Sequence, residues 1–460
     1  SQGQPEDFRE CRSGEKIARL WLNAVGAQPH FGVSPREFSD NLDKLGPFET
    51  APRLAVACSG GADSMALLAL SKQWAERHSG KVTALVVDHR LRDDSTIEAE
   101  TVSSRARLLG VEACILTRAG EPIVANIQAQ ARAARYRLLI EWCARNGNLH
   151  LLLGHHRDDQ AETLRMREER GSGDDGLAGM SPILEYADVR LLRPLLRVPK
   201  SRLRATVAEF GLVAVEDPSN SDPRFDRVRT RHSFTAEADR EILSGRADRY
   251  GVDRFHREEA TAAHLAQSSE IHPEGYATLD PHSWRQGAND LGLRALVALC
   301  AMIGGRRHPP HREKAKRLQD AIVGNTLGGG RTMSGCRIVP SNGKLLILRE
   351  LALIEREVRL DGRQLWDGRF RVELTDQVHL SIGKLGEDGL REVLARQPDV
   401  PTHHLPKLVL PTLPAIWDLE GVYQVPHLSY SRDSTGADGL SINNVRFAPI
   451  RPLQATRFTL

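Results

Sequence analysis

The stretch RLAVACSGGADSMALLAL, Arg53 to Leu70, joins an apolar run too short for a helix to an apolar segment of helical length, with CSGGADS (58–64) between them. A strand, a glycine turn and a helix start bring backbone N–H groups and the positive end of a helix dipole to one spot, which suits anionic oxygens. The familiar phosphate loop, G-x-x-x-x-G-K followed by Ser or Thr, is absent, and no lysine stands in the turn. Asp63 is placed instead to hold Mg²⁺, with the metal neutralising phosphates, an arrangement suited to retaining pyrophosphate as a leaving group. A plain tight turn is the structural alternative, against which the flanking strand and helix weigh.

The pattern continues on both sides of this loop. RLAVAC (53–58), KVTALVVD (81–88), EACILT (112–117) and LHLLLG (149–154) read as buried strands, and helical patterns fall at 64–77, 95–109, 126–146 and 158–170. Continuous apolar strands alternating with helices predict an α/β fold, a doubly wound parallel sheet whose ligands bind at the carboxyl ends of the strands. VPKSRLRATVAEFGL predicts a helix started near Pro199 and stopped by Gly211, and EDPSNSDPRFDR (216–227) a long loop. GEKIARLWLNAV offers a short helix near the N-terminus. Residues 233–330 read as mainly helical, and from about 330 short strands begin with a hairpin at Asn342-Gly343. The expected organisation is an N-terminal extension (1–48), a nucleotide-binding domain (49–232), a helical domain (233–330) and a small β-rich module (331–460).

Composition limits the partners. With 460 residues, 40% hydrophobic and 27% charged, the chain buries real cores, and its net charge of +3 means that any basic surface comes from clustering. Arg190 to Arg231 holds ten basic residues against five acids, and RRHPPHREKAKR (306–317) six against one. Each is either a polyanion-binding stretch or a solvated face. The six cysteines, Cys11, Cys58, Cys114, Cys143, Cys300 and Cys336, show no C-x-x-C spacing, so a reducing, cytoplasmic setting is expected. No apolar run reaches the roughly 20 residues of a membrane span, and the polar start at Ser1, which leaves room for a Met or more ahead of it, is unlike a signal peptide.

Three further motifs carry chemistry. DHRLRDDS (88–95) follows the second strand, where Asp88 and His89 are placed to meet the base or ribose of a nucleotide, unless this is an ordinary strand-to-helix turn. GHHRDDQAET (154–163) follows the fourth strand and puts Asp159 and Glu162 on one helix face. Beside His155 and His156 these acids suggest zinc at first sight, but the carboxylate content favours Mg²⁺ or acid–base work; dipole-complementing acids are the plain alternative. In ARAARY (131–136), Arg132 and Arg135 share a face, either for phosphate contact or as a charged surface.

With SGGADS (59–64), ARAARY, GHHRDDQAET, RGSG (170–173), GLAGM (176–180) and DPSN (217–220) in this order, the chain strongly resembles the tRNA(Ile)-lysidine synthase family of PP-loop ATP pyrophosphatases over about residues 50–232. The resemblance implies ATP, Mg²⁺ and L-lysine as reactants on the wobble cytidine of the CAU anticodon of tRNA(Ile). It implies that Ser59, Gly60, Gly61, Ala62, Asp63 and Ser64 bind the phosphates, with Asp63 and Asp159 on Mg²⁺. Asp63, Asp159 and Arg135 would be catalytic, and Arg132, His155, Asp159, Glu162, Arg227 and Arg231 would line the lysine and cytidine site. The chain departs from the family in LRMREERG (164–171), where an apolar run is usual, in Val228, where Asn is common, and in Cys58, which replaces an aliphatic residue.

Other readings remain open on these residues: another PP-loop adenylating enzyme, either a tRNA thiolation enzyme or a small-molecule amide ligase, or a nonenzymatic nucleotide sensor. The cysteine spacing offers no pair for sulfur transfer. No motif encodes the oligomeric state, for which a homodimer is one open arrangement.

Overall fold

The computed structural model describes residues 31–90, 95–118, 127–186, 188–215, 226–234, 236–287, 289–306, 308, 310–360, 362–373, 380–432 and 444–453. The helix expected in GEKIARLWLNAV, residues 91–94 of DHRLRDDS, the DPSN segment, Cys11 and Arg307 lie outside them. The chain divides into two compact units between Arg254 and Phe255.

In the first unit, α1 (Pro35–Asp43) precedes β1 (Arg53–Ala57), α2 (Ala62–Arg77), β2 (Lys81–Asp88), α3 (Ser95–Leu108), β3 (Glu112–Thr117), α4 (Ile127–Arg145), β4 (His150–Leu152) and α5 (Arg157–Glu169). The alternation read from the sequence is therefore present, with edges within a few residues of those expected. A short α6 (Asp174–Leu177), then β5 (Ile183–Glu185), β6 (Arg190–Leu192), α7 (Lys200–Glu209) and α8 (Asp226–His232) follow. The strands form one sheet in the order β3-β2-β1-β4-β6-β5, parallel except for β5. Chain order runs outward from β1 through β2 to β3 and then resumes on the other side of β1 with β4, so the order reverses between β1 and β4, where a doubly wound sheet opens its ligand crevice.

Burial explains why the loop after β1 is held firmly. α2 buries Met65, Leu67, Leu68, Leu70 and Trp74 on several faces, as a helix does when it is covered all round. Each such side chain contributes about 1.5–3 kcal/mol of transfer free energy. The same core holds Phe38 and Leu42 of α1 and Leu203 and Val207 of α7. Strand β6 is tied to the segment after α1 by Arg190, which donates to the carbonyls of Leu45 and Gly46.

The polar helix face of LRMREERG is satisfied by partners that the sequence does not reveal. Ala161 and Leu164 of α5 pack against Phe234, Leu243 and Ala247. Arg167 donates to the carbonyl of Gly179 at 2.8 Å, and Glu168 pairs with Arg246 at 2.6 Å. The helix thus needs only a thin apolar stripe.

The long helix α9 (Glu237–Ser268) leads to the second unit, with α10 (Pro281–Gln286), α11 (Asp290–Ile303), α12 (Arg312–Val323) and α13 (Gly386–Arg396). One antiparallel sheet has the order β7-β8-β11-β10-β9, using β7 (Ser269–His272), β8 (Tyr276–Leu279), β9 (Arg331–Met333), β10 (Cys336–Ser341) and β11 (Lys344–Arg349). The expected hairpin is there: Ser341 pairs with Lys344 across Asn342 and Gly343, at φ of 48° and 78°, the left-handed pair of a type I′ turn. Strands β7 and β8 interrupt a region read as mainly helical. Short strands completing two further antiparallel sheets follow: β12 (Val358–Arg359), β15 (Ser381–Lys384), β16 (Pro414–Asp418), β17 (Gly421–Val425) and β18 (Tyr430–Ser431) in the order β12-β15-β16-β17-β18, and β13 (Arg363–Trp366), β14 (Phe370–Glu373) and β19 (Asn444–Phe447) in the order β13-β14-β19.

Candidate active site

The loop after β1 takes its shape from glycine. Gly60 sits at φ 82°, and a Cβ there would stand 2.4 Å from Val102 Cγ2. Its carbonyl accepts from Val215 N at 2.8 Å. Ser64 Oγ receives the N–H of Ser59 at 3.1 Å and donates to the carbonyl of Gly61 at 3.0 Å, which closes the turn on itself. Gly61 is the N-cap of α2 and makes no side-chain cap bond, so the first-turn amides face outward as an anion cradle.

The loop after β4 meets it. Gly154 lets the two backbones approach: a Cβ there would stand 3.2 Å from Asp63 C and O. His156 caps α5, with the N–H of Asp159 pointing at Nδ1 (3.4 Å) and the His156 N–H donating to Asp159 Oδ2 at 3.0 Å. His156 Nε2 lies 3.5 Å from both Asp63 Oδ2 and Asp159 Oδ2. Burial acts to lower the pKa of this imidazole, but Asp159 and Asp63 outweigh burial and raise it.

The same contacts act on the acids. Burial would raise the Asp63 carboxyl, yet His156 and Lys200 hold it below the usual carboxylate range, with Asp159 opposing them. Asp159 is also desolvated, and His156 first and then Arg227 draw it down to about 2. Both acids are therefore anionic at neutral pH. Asp63 Oδ1 is buried without a hydrogen-bond partner, which leaves an acceptor for a hard cation such as Mg²⁺. Asp159 fits an ion less directly, because Oδ2 accepts from His156 and Oδ1 faces Arg227 Nη2 at 3.4 Å.

Glu162 is buried and accepts from Arg227 Nε at 3.0 Å and Arg231 Nε at 2.7 Å, which pins α8 to α5. Arg227 thus bridges Asp159 and Glu162 of the 154–163 motif. His155 turns elsewhere, with Arg193 Nε donating to its Nδ1 at 3.3 Å. Burial and the nearby Arg193 push His155 well below its ordinary pKa, so it is neutral.

At the end of β2, Asp88 serves its own turn, accepting from Arg90 N at 3.0 Å and Thr96 Oγ1 at 2.9 Å. His89 Nδ1 is buried and unpartnered, and burial with Arg135 nearby lowers its pKa. Arg135 is half-buried and close enough to Cys58 to act on its thiol. Arg132 is exposed, and its Nη2 donates to Tyr136 Oη at 3.2 Å. The structure therefore gathers Asp63, Asp159, Glu162, Arg227 and Arg231 into one linked network. Asp88 and His89 belong to the neighbouring end of β2, Arg135 is half-buried on α4, and Arg132 is exposed on the same helix.

Three participants are missing from the sequence expectations: His156 as the bridge, Arg193 behind His155, and Lys200, whose Nζ is 3.5 Å from Asp63 Oδ2. A signal for the last existed, since a lysine at a helix start opposes the dipole. The two basic stretches fare differently. Arg190 and Arg193 are buried, Arg197 pairs with Asp248, and Arg202 with Glu37, so much of 190–231 is used internally. Arg306, Arg312, Lys314, Lys316 and Arg317 are exposed, and in the second unit Lys314, Arg317 and Arg331 line a cleft of about 680 Å³.

A strand–glycine loop–helix at the reversal of a parallel sheet, with an acid in place of lysine, defines a PP-loop nucleotide-binding protein, and the PP-loop domain family model matches residues 35–238. The chain is 31% identical over 428 residues to the tRNA(Ile)-lysidine synthase of Orientia tsutsugamushi (strain Boryong), covering 88% of this chain and 95% of that one. It is 34% identical over 357 residues to the enzyme of the same name from Wolbachia sp. subsp. Brugia malayi (strain TRS), at 75% and 82% coverage. For that of Wolbachia pipientis wMel the figures are 31% over 407 residues, at 84% and 91%. The chain belongs to the tRNA(Ile)-lysidine synthase family.

Proposed function

We propose that this chain uses ATP to join L-lysine to C2 of the wobble cytidine in the CAU anticodon of tRNA(Ile). The observation that carries this reading is the junction of the 59–64 and 154–163 loops through Asp63, His156 and Asp159, in a chain of this family. The C2 oxygen of cytosine is a poor leaving group. In the first step it attacks the α-phosphorus of ATP, the α–β anhydride bond breaks, and pyrophosphate leaves. In the second, the lysine ε-ammonium loses one proton to solvent, the free amine attacks C2, the C2–O bond breaks, AMP departs, and a second amine proton goes to solvent.

The first-turn amides of α2, with Ser59 and Ser64, hold the phosphates. Asp63, whose Oδ1 has no hydrogen-bond partner, would hold Mg²⁺, and the ion would supply charge neutralisation on the phosphates. His89 from the end of β2 and Arg135 from α4 face the nucleotide. Asp159, fully ionised, orients His156 and Arg227 and offers negative charge to the lysine ammonium, while Glu162 fixes Arg227 and Arg231. Arg132 and neutral His155 stand at the acceptor side. The exposed cations of the second unit suit the tRNA backbone. Among the described residues no helix is long and apolar enough to cross a membrane, and with five described cysteines free we place the reaction in the cytoplasm.

The test is incorporation of radiolabelled lysine into a tRNA(Ile) transcript bearing CAU, with Mg²⁺ and ATP. Pyrophosphate release should require that tRNA. Release without it would overturn the reading in favour of a small-molecule ligase.

A further inference from the structure

A lysine absent from the loop is present beside it. Lys200 Nζ stands 3.5 Å from Asp63 Oδ2, with the two side chains 29% and 26% exposed. It begins α7 after the N-cap Pro199, in a first turn that contains no acid. A cation at this end of a helix faces the positive end of the dipole, an unfavourable position that needs a compensating anion. Arg202, in the same turn, is bound by Glu37 at 2.7 Å. For Lys200 the anion is Asp63.

Its placement is rigid at the base and free at the tip. Leu203 and Val207 of α7 lie in the same core as Met65 and Leu68 of α2, so the Lys200 backbone is held beside the loop. The ammonium is on a flexible four-carbon stem and keeps contact with solvent. Asp63 has one oxygen turned to Lys200 and the other without a partner.

We propose that Lys200 is the phosphate-binding lysine of this site, supplied by α7 in place of a loop lysine, and that it neutralises the pyrophosphate leaving group. This rests on the adenylation reading above. When Asp63 engages a cation its charge is already neutralised, and the ammonium is then within a short swing of anionic oxygens at the first-turn amides of α2. Lys200 carries positive charge to the phosphates that leave, not to the adenylate that remains. Its loss should therefore separate pyrophosphate from AMP binding.

The test is calorimetric titration of the full chain, with Mg²⁺, by pyrophosphate and separately by AMP, for wild type, Lys200→Met and Lys200→Arg. The expected result is at least tenfold weaker pyrophosphate binding in K200M, partial recovery in K200R, AMP affinity within twofold of wild type and an unchanged melting temperature. Pyrophosphate affinity within twofold of wild type in K200M would overturn the proposal, as would equal loss of both ligands or no pyrophosphate binding by the wild type. If wild type forms lysidine but K200M keeps its pyrophosphate affinity, Lys200 alone is misassigned. If K200M loses pyrophosphate while wild type adds no lysine to tRNA, the acceptor reading fails and the role of Lys200 stands.

Discussion

His156 Nε2 lies 3.5 Å from Asp63 Oδ2, so a buried imidazole that caps α5 also touches the acid of the glycine loop after β1. This one side chain couples the phosphate cradle to the helix that carries Asp159 and Glu162. Replacing it by Ala removes a cap, worth about 1 kcal/mol, and a contact with ionised carboxylates worth roughly 1.5–3 kcal/mol when well buried. His156→Ala should lower the melting temperature by several degrees and pyrophosphate release by roughly 100-fold, with tRNA affinity unchanged in a filter-binding assay. Wild-type turnover would show that the two loops work independently.

Gly154 should be intolerant for a steric reason that does not involve chemistry. An added Cβ meets the backbone of Asp63 at 3.2 Å, closer than comfortable contact, so the loop must shift by a few tenths of an ångström. Gly154→Ala should cut kcat roughly tenfold or more while the melting temperature changes little, because catalytic geometry is more sensitive than packing to such a shift. Steady-state kinetics beside a thermal melt would check this.

In the second unit, Asp367 is buried between Arg349, at 2.9 and 3.0 Å, and Arg369 at 2.7 Å, and it also accepts the N–H of Glu355. Burial alone would raise its pKa, but the two guanidinium groups lower it. A carboxyl with a folded-state pKa below its unfolded value stabilises at pH above about 3.9, and that contribution is lost as the pH falls through the folded value. Asp367→Asn should cost about 3–5 kcal/mol at neutral pH, since it leaves two buried cations short of a partner. The gap from wild type should close as the pH drops below 3.9. Hydrogen exchange of Arg363–Trp366 and Phe370–Glu373 localises the effect to this unit.

The exposed cations of α12 and β9 give a salt test. Lys314 and Arg317 line the same cleft as Arg331. Changing all three to Gln should weaken tRNA binding and reduce the slope of log K against log salt by about 2–3, as phosphate contacts release counterions. An unchanged slope would identify this face as merely solvated.

The α/β alternation and the glycine loop were legible because both rest on local rules. Strand runs, helical periods and a turn that needs φ above zero are written in consecutive residues, as Gly60 and the Asn342-Gly343 turn show. Asp63, Asp159 and Glu162 were legible because their motifs are contiguous. Strands β7 and β8 were not, because β8 pairs with β11, a partner more than 60 residues away, β7 joins the sheet only through β8, and little in SEIH or YATL marks them as strands alone.

What the sequence determined by itself is the alternation of strand and helix from β1 to α5 and the glycine turn of the first loop, since propensity and turn geometry act over a few residues. What only the tertiary structure decided is who shares the loop. The reversal of strand order between β1 and β4 brings His156 to Asp63, and the packing of Leu203 and Val207 against α2 brings Lys200 there. It also directs Arg190, Arg202 and Arg231 to carbonyls and acids far along the chain. Charge counts along a sequence do not distinguish a solvated arginine from a buried one, because burial depends on which distant surfaces the core draws together.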